Sequence, residues 1–215
     1  KQGGALHNGA SIVRWNTHKK YLVELEREGV AVVPTTLVTA GASTTLGDVV
    51  EQRGWRDVVV KPAVSAGSRD THRVRVDDVA FAALSSEIAR SGDARDWLVQ
   101  PFVERISDGE LSLMYIDGAF SHAVNKTPKS ADFRSQPEFG SHVERVEPRA
   151  EDRRAADEIL RIVGGTLLYG RVDFVRGDDG HPWLMELELV EPSLYLAYDD
   201  KAAPRLADAI ARRFG

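Results

Sequence analysis

Two glutamates, Glu186 and Glu188, lie one residue apart in the segment WLMELELVEP, among leucines that suit a buried strand. Carboxylates are almost never fully buried without a partner, so this placement requires an explanation. Side chains at positions i and i+2 of a strand face the same way. A hairpin turn near Asp178–Asp179 would bring Asp173, on the preceding strand, to the face that the two glutamates share.

Three carboxylates on one face would repel one another, and a bound cation would offset that repulsion. Oxygen-only ligands with no Cys or His nearby suit Mg²⁺ or Mn²⁺. We therefore predict that Asp173, Glu186 and Glu188 bind a divalent metal ion. The alternative is a half-exposed pair of strands whose polar side chains face water, and the alternation of residues alone does not separate the two.

A lysine at the end of a hydrophobic run is the second candidate for chemistry. Lys61 follows Val58–Val60, and a loop of small residues comes next, including Gly67 and Ser68. Small residues let backbone amides approach a phosphate closely, and a lysine adds a point charge. The pattern G-x-x-x-x-G-K-[ST] is absent, so this is not a Walker A loop. The alternative is an ordinary surface loop beside a lysine with a buried stem.

The composition excludes several classes of protein. The chain has 215 residues, no cysteine and a formal net charge of -5. Disulfides, thiol nucleophiles and cysteine–zinc sites are therefore excluded, and a general nucleic-acid binder would usually be basic. No apolar run approaches the roughly 18 residues that a membrane span needs, and no signal peptide is visible. We expect a globular protein that works in the cytoplasm, with no nucleic-acid or membrane partner.

Helical and strand patterns are mixed along the chain, which predicts an α+β fold of two lobes. The pattern RWNTHKKYLVELEREG predicts a first helix, with Asn16 or Thr17 as its N-cap and Gly29 at its end. Hairpins are expected around Asp117-Gly118 and between residues 167 and 192. We predict an N-terminal linker and helix over 1–29, a first lobe over 30–103 and a second lobe with the metal site over 104–215.

Four phrases, in this order, carry a resemblance to a known family: VRWNTHKKYL, VVVKPAVSAGSRDT, LVQPFVE and MELELVEPSLYL. Together they resemble the ATP-grasp superfamily over nearly the whole chain. The chain is similar to prokaryotic glutathione synthetase, D-alanine–D-alanine ligase and RimK-type ligases. It is also similar to actinobacterial natural-product ligases, including the O-ureidoserine cyclo-ligase of cycloserine biosynthesis. The resemblance implies two lobes that clasp ATP between antiparallel sheets, and an N-terminal domain that is absent or truncated here.

The resemblance also implies roles in nucleotide binding. Lys19, in the predicted first helix, and Lys61 would contact the phosphates beside the loop that contains Gly67 and Ser68. In the LVQPFVE segment, Gln100 and the backbone of Phe102 and Val103 would hold adenine. Glu110, at the start of the next strand, would hold the ribose. Lys19 as part of a solvated helix face, and Gln100 as an ordinary polar residue of a strand, are the alternatives.

For the reacting groups, the resemblance places Arg171 at the transferring phosphate, and Lys126 and Arg134 around an acyl phosphate. It assigns the magnesium ion to Asp173, Glu186 and Glu188, although relatives often carry asparagine at the third position. Arg171 could instead simply neutralise nearby glutamates, and Arg134 could be one more loop arginine. His122, His142 and His181 show no metal-ligand spacing.

The implied activity is that of an ATP-dependent ligase with ATP and Mg²⁺, or Mn²⁺, as cofactors. It activates a small-molecule carboxylate as an acyl phosphate, which an amine then attacks. The alternatives are an intramolecular cyclo-ligase, a nucleotide-binding module without catalysis and a structural interaction domain. Whether the chain forms a homo-oligomer is left open.

Overall fold

The chain begins with two short helices rather than one. The structure, a computed structural model, describes residues 6–90, 95–129, 134–135 and 140–214. Helices α1 (Ala10–Asn16) and α2 (Tyr21–Arg27) are joined by a turn that contains Lys19. The predicted helix that ends at Gly29 is confirmed as α2, but its predicted start at Asn16 or Thr17, which would have placed Lys19 inside it, is wrong. Asn16 is instead the last residue of α1, and its side chain is bound to the backbone of Leu187 and Leu189.

The first sheet is fully antiparallel, with the strand order β1-β4-β2-β3. Its strands are β1 (Thr36–Val38), β2 (Asp57–Pro62), β3 (His72–Arg75) and β4 (Trp97–Pro101). Two helices cover it, α3 (Leu46–Arg53) and α4 (Val79–Arg90). Valines of the sheet and apolar residues of both helices form one buried cluster beneath them. This arrangement confirms the predicted strand, loop and strand on either side of the small-residue loop.

The second sheet is also antiparallel, with the order β7-β6-β5-β8-β9. Its strands are β5 (Glu110–Ile116), β6 (Ala119–Thr127), β7 (His142–Val146), β8 (Tyr169–Arg176) and β9 (Pro182–Glu188). Helix α5 (Ala150–Val163) and helix α6 (Ala202–Phe214) follow β7 and β9 along the chain. No helix in the described ranges is long and apolar enough to cross a bilayer.

Both predicted hairpins are present in the second sheet. The turn between β5 and β6 has Asp117 and Gly118 in left-handed conformation, at φ 53° and 75°, as a tight two-residue hairpin turn requires. Strands β8 and β9 pair so that Asp173 lies opposite Glu186 and Arg171 lies opposite Glu188. The backbone register therefore confirms the prediction that the three carboxylates lie on one face of the hairpin.

The N-terminal segment packs against the second sheet. Tyr21, Leu22 and Leu25 of α2 are buried in the same cluster as the apolar residues of β8 and β9. Backbone hydrogen bonds join Ala31 and Val33 to β9, at distances of 2.9 Å. The packing thus favours a first lobe that begins after residue 33, while the predicted boundaries at 29/30 and 103/104 stay a prediction.

Two buried asparagines fasten the end of strand β9 and the residue that follows it. The Asn16 amide donates to Leu187 O at 2.8 Å, and its carbonyl accepts from Leu189 N at 2.8 Å. Asn8, which is fully buried, donates to Leu189 O at 2.9 Å. β9 is the edge strand of its sheet, and past the bridge at Leu184 its outer side has no strand among the described residues to pair with. The asparagine side chains satisfy several backbone groups on that side and hold the strand in place.

Replacing Asn16 by alanine should lower the free energy of unfolding by about 1–3 kcal/mol, because buried backbone groups of Leu187 and Leu189 lose their partners. Urea denaturation followed by circular dichroism measures this loss. Thr17→Ala is the matched control, since its hydroxyl donates to Val13 O on an exposed helix turn. Equal losses in the two variants would contradict the clamping role.

Candidate active site

A cleft of about 550 Å³ lies between the two sheets. It is lined by every residue that the sequence assigned to a site except Asp173, which lies beneath the cleft surface: Lys19, Lys61, Gly67, Ser68, Gln100, Phe102, Val103, Glu110, Lys126, Arg134, Arg171, Glu186 and Glu188. Residues separated by more than 160 positions in the chain thus face one space. Their roles in that space stay predictions.

One wall of the cleft is formed by two lysines and the small-residue loop. The Lys19 ammonium donates to Ser65 O at 2.8 Å, and the Lys19 backbone N donates to Ala63 O at 2.7 Å. Gly67 has φ 62°, and a side chain there would meet no atom within 4 Å. Burial lowers the pKa of Lys61, although the negative charge of nearby Glu186 acts to raise it. This wall combines buried positive charge with a loop that a phosphate can approach closely.

The predicted adenine segment lies at the end of β4. The buried Gln100 amide donates to Thr35 Oγ1 at 2.8 Å, and Thr35 in turn donates to Val33 O. Phe102 N donates to Asp57 O at 2.8 Å. Gln100 therefore ties the first sheet to the segment that precedes β1. Sequence reasoning missed Thr35, because nothing local marks a threonine as the partner of a residue 65 positions away.

Asp173 lies beneath the cleft and is fully buried. Arg171 donates to both of its carboxylate oxygens, with Nε at 3.0 Å and Nη2 at 2.9 Å, and the Ser112 hydroxyl donates at 2.5 Å. Burial would raise the pKa of Asp173, but Arg171 and Lys126 outweigh it and hold that pKa at about 2. Asp173 is ionised and its oxygens are already bonded.

Glu186 and Glu188 reach the cleft surface, and each has a cationic partner. Lys19 Nζ lies 2.8 Å from Glu186, and Arg171 Nη2 lies 2.6 Å from Glu188. Burial alone would raise the pKa of Glu186, but Lys19 and Lys61 lower it. Burial raises the pKa of Glu188 to about 8 despite Arg171. The expected repulsion is thus offset by cations of the protein itself, which supports the neutralising role weighed for Arg171.

The acidic residues have the donor chemistry of a magnesium site, without its closed geometry. Among the described residues, no group of three His, Asp or Glu side chains converges on one point. Glu186 and Glu188, two residues apart on β9, nevertheless both line the cleft, and oxygen ligands suit Mg²⁺. These two residues fit a metal ion. Asp173 would join them only if Arg171 released it.

A second buried pair lies deeper in the cleft. Lys126 Nζ donates to Glu110 Oε1 at 2.6 Å and lies 3.7 Å from Asp173 Oδ1. The Ser135 hydroxyl donates to the other oxygen of Glu110. Arg134, the residue before Ser135, also lines the cleft. Lys126, only 2% exposed, thus links the predicted ribose ligand to the acidic face.

One further wall was missed by the sequence reasoning. Tyr195 lines the cleft with a left-handed backbone at φ 46°, which is unusual for a residue other than glycine. The buried His122 faces Leu194 O at 3.0 Å and Tyr195 O at 3.1 Å through Nε2, so this nitrogen carries the proton. Its Nδ1 accepts from the Ser121 hydroxyl. The side chain of His122, which shows no ligand spacing in the sequence, thus holds the backbone of Leu194 and Tyr195 in place.

Comparisons with known proteins show which class of protein this fold belongs to. The model of the prokaryotic glutathione synthetase ATP-grasp domain matches residues 22–178. The cycloserine biosynthesis protein DcsG of Streptomyces lavendulae is 36% identical over 221 residues, which covers 94% of this chain and 71% of that protein. A glutathione synthetase of Bradyrhizobium diazoefficiens is 26% identical over 75% of this chain, which spans only 49% of that relative.

Solved structures show the same fold. The crystal structure of D-cycloserine synthetase DcsG has a TM-score of 0.81 and 31% identity, over 94% of this chain and 72% of that one. A D-alanine–D-alanine ligase from Bacillus anthracis, at 18% identity, shares the fold alone, with a TM-score of 0.69 over 92% of this chain and 66% of that one. The chain belongs to the ATP-grasp family. The predicted fold class and the predicted enzyme class, an ATP-dependent ligase, are confirmed.

Lys61→Ala should weaken the binding of ATP by about 1–3 kcal/mol, the cost of losing a charge-assisted hydrogen bond. The expectation rests on the buried ammonium beside the small-residue loop. Isothermal titration calorimetry with ATP and Mg²⁺ measures the change. Lys201→Ala, an exposed lysine at the start of the last helix, is the control and should bind as the wild type does. An unchanged affinity in Lys61→Ala would remove this residue from the site.

The pKa of His122 is lowered by burial, against the opposing effect of the Tyr195 and Leu194 carbonyls. The unfolded chain therefore takes up a proton at a higher pH than the folded protein does. The contribution of neutral His122 to the free energy of unfolding is therefore complete above about pH 6.5, the pKa of histidine in the unfolded chain. Below that pH this contribution should fall, by at most about 1.4 kcal/mol per pH unit.

Urea denaturation at several pH values, with His122→Gln beside the wild type, tests this dependence. The variant should lack that part of the acid sensitivity, because glutamine does not titrate. His142→Gln is the control, since His142 is exposed on β7. An identical pH dependence in all three proteins would show that His122 does not resist protonation.

Proposed function

We propose that this protein is an ATP-dependent ligase that activates a substrate carboxylate as an acyl phosphate for attack by an amine. One observation carries the proposal. The cleft sets Lys19 and Lys61, beside a small-residue loop, against the carboxylates Glu186 and Glu188. A cationic wall fits phosphates, and an acidic face fits the metal ion that accompanies them. An amide or peptide-like bond would be the product.

We assign the nucleotide to the side of the cleft that the first sheet provides. Lys19 and Lys61 would hold phosphate oxygens, with backbone amides near Gly67 and Ser68. The backbone at Phe102 and Val103 would hold adenine, while Gln100 supports this segment through its bond to Thr35. The deeply placed Glu110 would hold the ribose, for which it must share its carboxylate with Lys126 and Ser135.

We assign the metal ion, Mg²⁺ or Mn²⁺, to Glu186 and Glu188, with Asp173 behind them. When bound, this ion supplies positive charge that neutralises and orients the phosphates. Arg171 already bridges Asp173 and Glu188, so it fixes the orientation of both carboxylates.

The charge that develops on the substrate during transfer would be stabilised by Arg171, Lys126 and Arg134. Preorganised cations in a site shielded from water stabilise such charge strongly, because they need little reorganisation. Lys126 is rigidly held by Glu110. Arg134 lines the cleft next to Ser135, whose hydroxyl donates to the same Glu110.

A second candidate is an intramolecular cyclo-ligase that acts on an amino-acid-derived substrate. The relative that is 36% identical over 94% of this chain is a cycloserine biosynthesis protein, and a solved structure of it is called D-cycloserine synthetase. In this reading, one small molecule supplies both the carboxylate and the nucleophile. We further propose that the substrates are small molecules and that the protein works in the cytoplasm.

Incubation with ATP, Mg²⁺ and a panel of amino acids, dipeptides and ureido-amino acids tests the proposal. Mass spectrometry should find a product lighter by one water than its reactants, together with ADP and phosphate. A product from two molecules indicates an intermolecular ligase, whereas loss of water from one molecule indicates a cyclo-ligase. Glu186→Gln is the inactive control. Failure of Mg-ATP to raise the melting temperature of the wild type would contradict both.

Arg134→Ala should lower kcat by on the order of 10²-fold while the affinity for ATP changes little, because an interaction made mainly in the transition state appears in kcat. Steady-state kinetics with the substrates from the panel gives both quantities. Lys61→Ala, on the other wall, is the comparison and should affect ATP binding more than turnover. A raised KM for ATP with unchanged kcat would make Arg134 a nucleotide contact.

A further inference from the structure

The carboxylates assigned to the metal and the ribose are paired with cations of the protein without any ligand. Four carboxylates, Asp173, Glu110, Glu186 and Glu188, face four cations, Lys19, Lys61, Lys126 and Arg171. Each carboxylate has a cationic partner within 3.0 Å. A positive ion that enters this group therefore meets carboxylates whose charge is already compensated.

Lys19 is the cation that directly occupies a predicted metal ligand. Its ammonium lies 2.8 Å from Glu186 Oε1 and donates to Ser65 O at 2.8 Å. Its backbone N is bonded to Ala63 O. Only 8% of Lys19 is exposed, so the side chain is fixed between the small-residue loop and the acidic face. Lys19 thus touches both the predicted phosphate wall and the predicted metal site.

We propose that Lys19 is a resident counterion of Glu186, which makes the site take a metal–nucleotide complex in preference to a free divalent cation. This inference rests on the proposed function. A free cation would have to give up its hydration for a carboxylate that is already paired, and Mg²⁺ dehydrates reluctantly.

A polyphosphate changes this balance, because it offers the Lys19 ammonium another anion. Glu186 then becomes available to the metal when the phosphates arrive. Binding of the nucleotide should therefore strengthen binding of the metal, and by linkage the metal should strengthen binding of the nucleotide by the same factor. The exchange needs only a small shift of one side chain that already lies between the two partners.

Lys19→Met should change the affinities for the metal ion and for the nucleotide in opposite directions. Mn²⁺ alone, followed by electron paramagnetic resonance, should bind this variant at least about fivefold more tightly than the wild type, the lower end of typical couplings between sites. Calorimetry should show the opposite change for Mg-ADP, which loses a phosphate contact. Methionine keeps the length of the buried stem, and Lys19→Gln serves as a second variant if Lys19→Met folds poorly.

Lys20→Met is the matched control, since it removes the same charge from the adjacent residue, which is exposed and pairs with Glu24 at 3.6 Å. It should bind Mn²⁺ as the wild type does. Adding Glu186→Gln to Lys19→Met should abolish the gain. Unchanged Mn²⁺ affinity in the Lys19 variants, or a gain that survives Glu186→Gln, would overturn the inference. If Mg-ATP still binds the wild type in that case, the proposed function stands; if it does not bind, the proposed function also fails.

Discussion

The pairing of Arg171 with Asp173 and Glu188 is the interaction on which the rest of the cleft depends. Three carboxylates on two adjacent strands can be buried or half-buried only if positive charge lies among them. The register of β8 against β9 sets Arg171 opposite Glu188, with Asp173 two residues along the same strand. One guanidinium therefore contacts both carboxylates. A register shifted by one residue would turn these side chains into the core.

That register depends in turn on what holds the edge strand. β9 has a neighbour on one side only, and the N-terminal segment supplies what the other side lacks. Asn8 and Asn16 bond to its backbone, and Tyr21 accepts a hydrogen bond from Leu187 N. The same segment carries Lys19 into contact with Glu186. Anchoring of the strand and neutralisation of the site are thus performed by one stretch of chain.

Each lobe contributes an incomplete half of the cleft. The first sheet provides Lys61 and the small-residue loop, and the second provides the carboxylates and Lys126. Neither half alone has both a phosphate wall and an acidic face. The two halves interact electrostatically across the cleft, since Lys61 of the first lowers the pKa of Glu186 in the second. A ligand that carries both phosphate and metal matches both halves at once.

Much of the fold followed from the sequence, because local patterns determine local structure. The Asp117-Gly118 turn, the β-branched strand before Lys61 and the alternation in β9 each depend on residues within a few positions of one another. The family resemblance then predicted the site residues and the ligase class, and the comparisons confirm the class. The shared face of Asp173 and Glu186 also followed, since it requires only the period of a strand and the position of one turn.

The tertiary structure alone decided which partner each polar side chain meets. The partner of Asn16 is 171 positions away, that of Gln100 is 65 and that of Asn8 is more than 160. No local pattern encodes such distances, so Asn16 was mistaken for a helix cap and His122 for a residue without a role. Likewise, the sequence indicated that the three carboxylates need a cation. Only packing determined that Arg171 and Lys19 provide that charge, because a side chain's electrostatic partners depend on the whole fold.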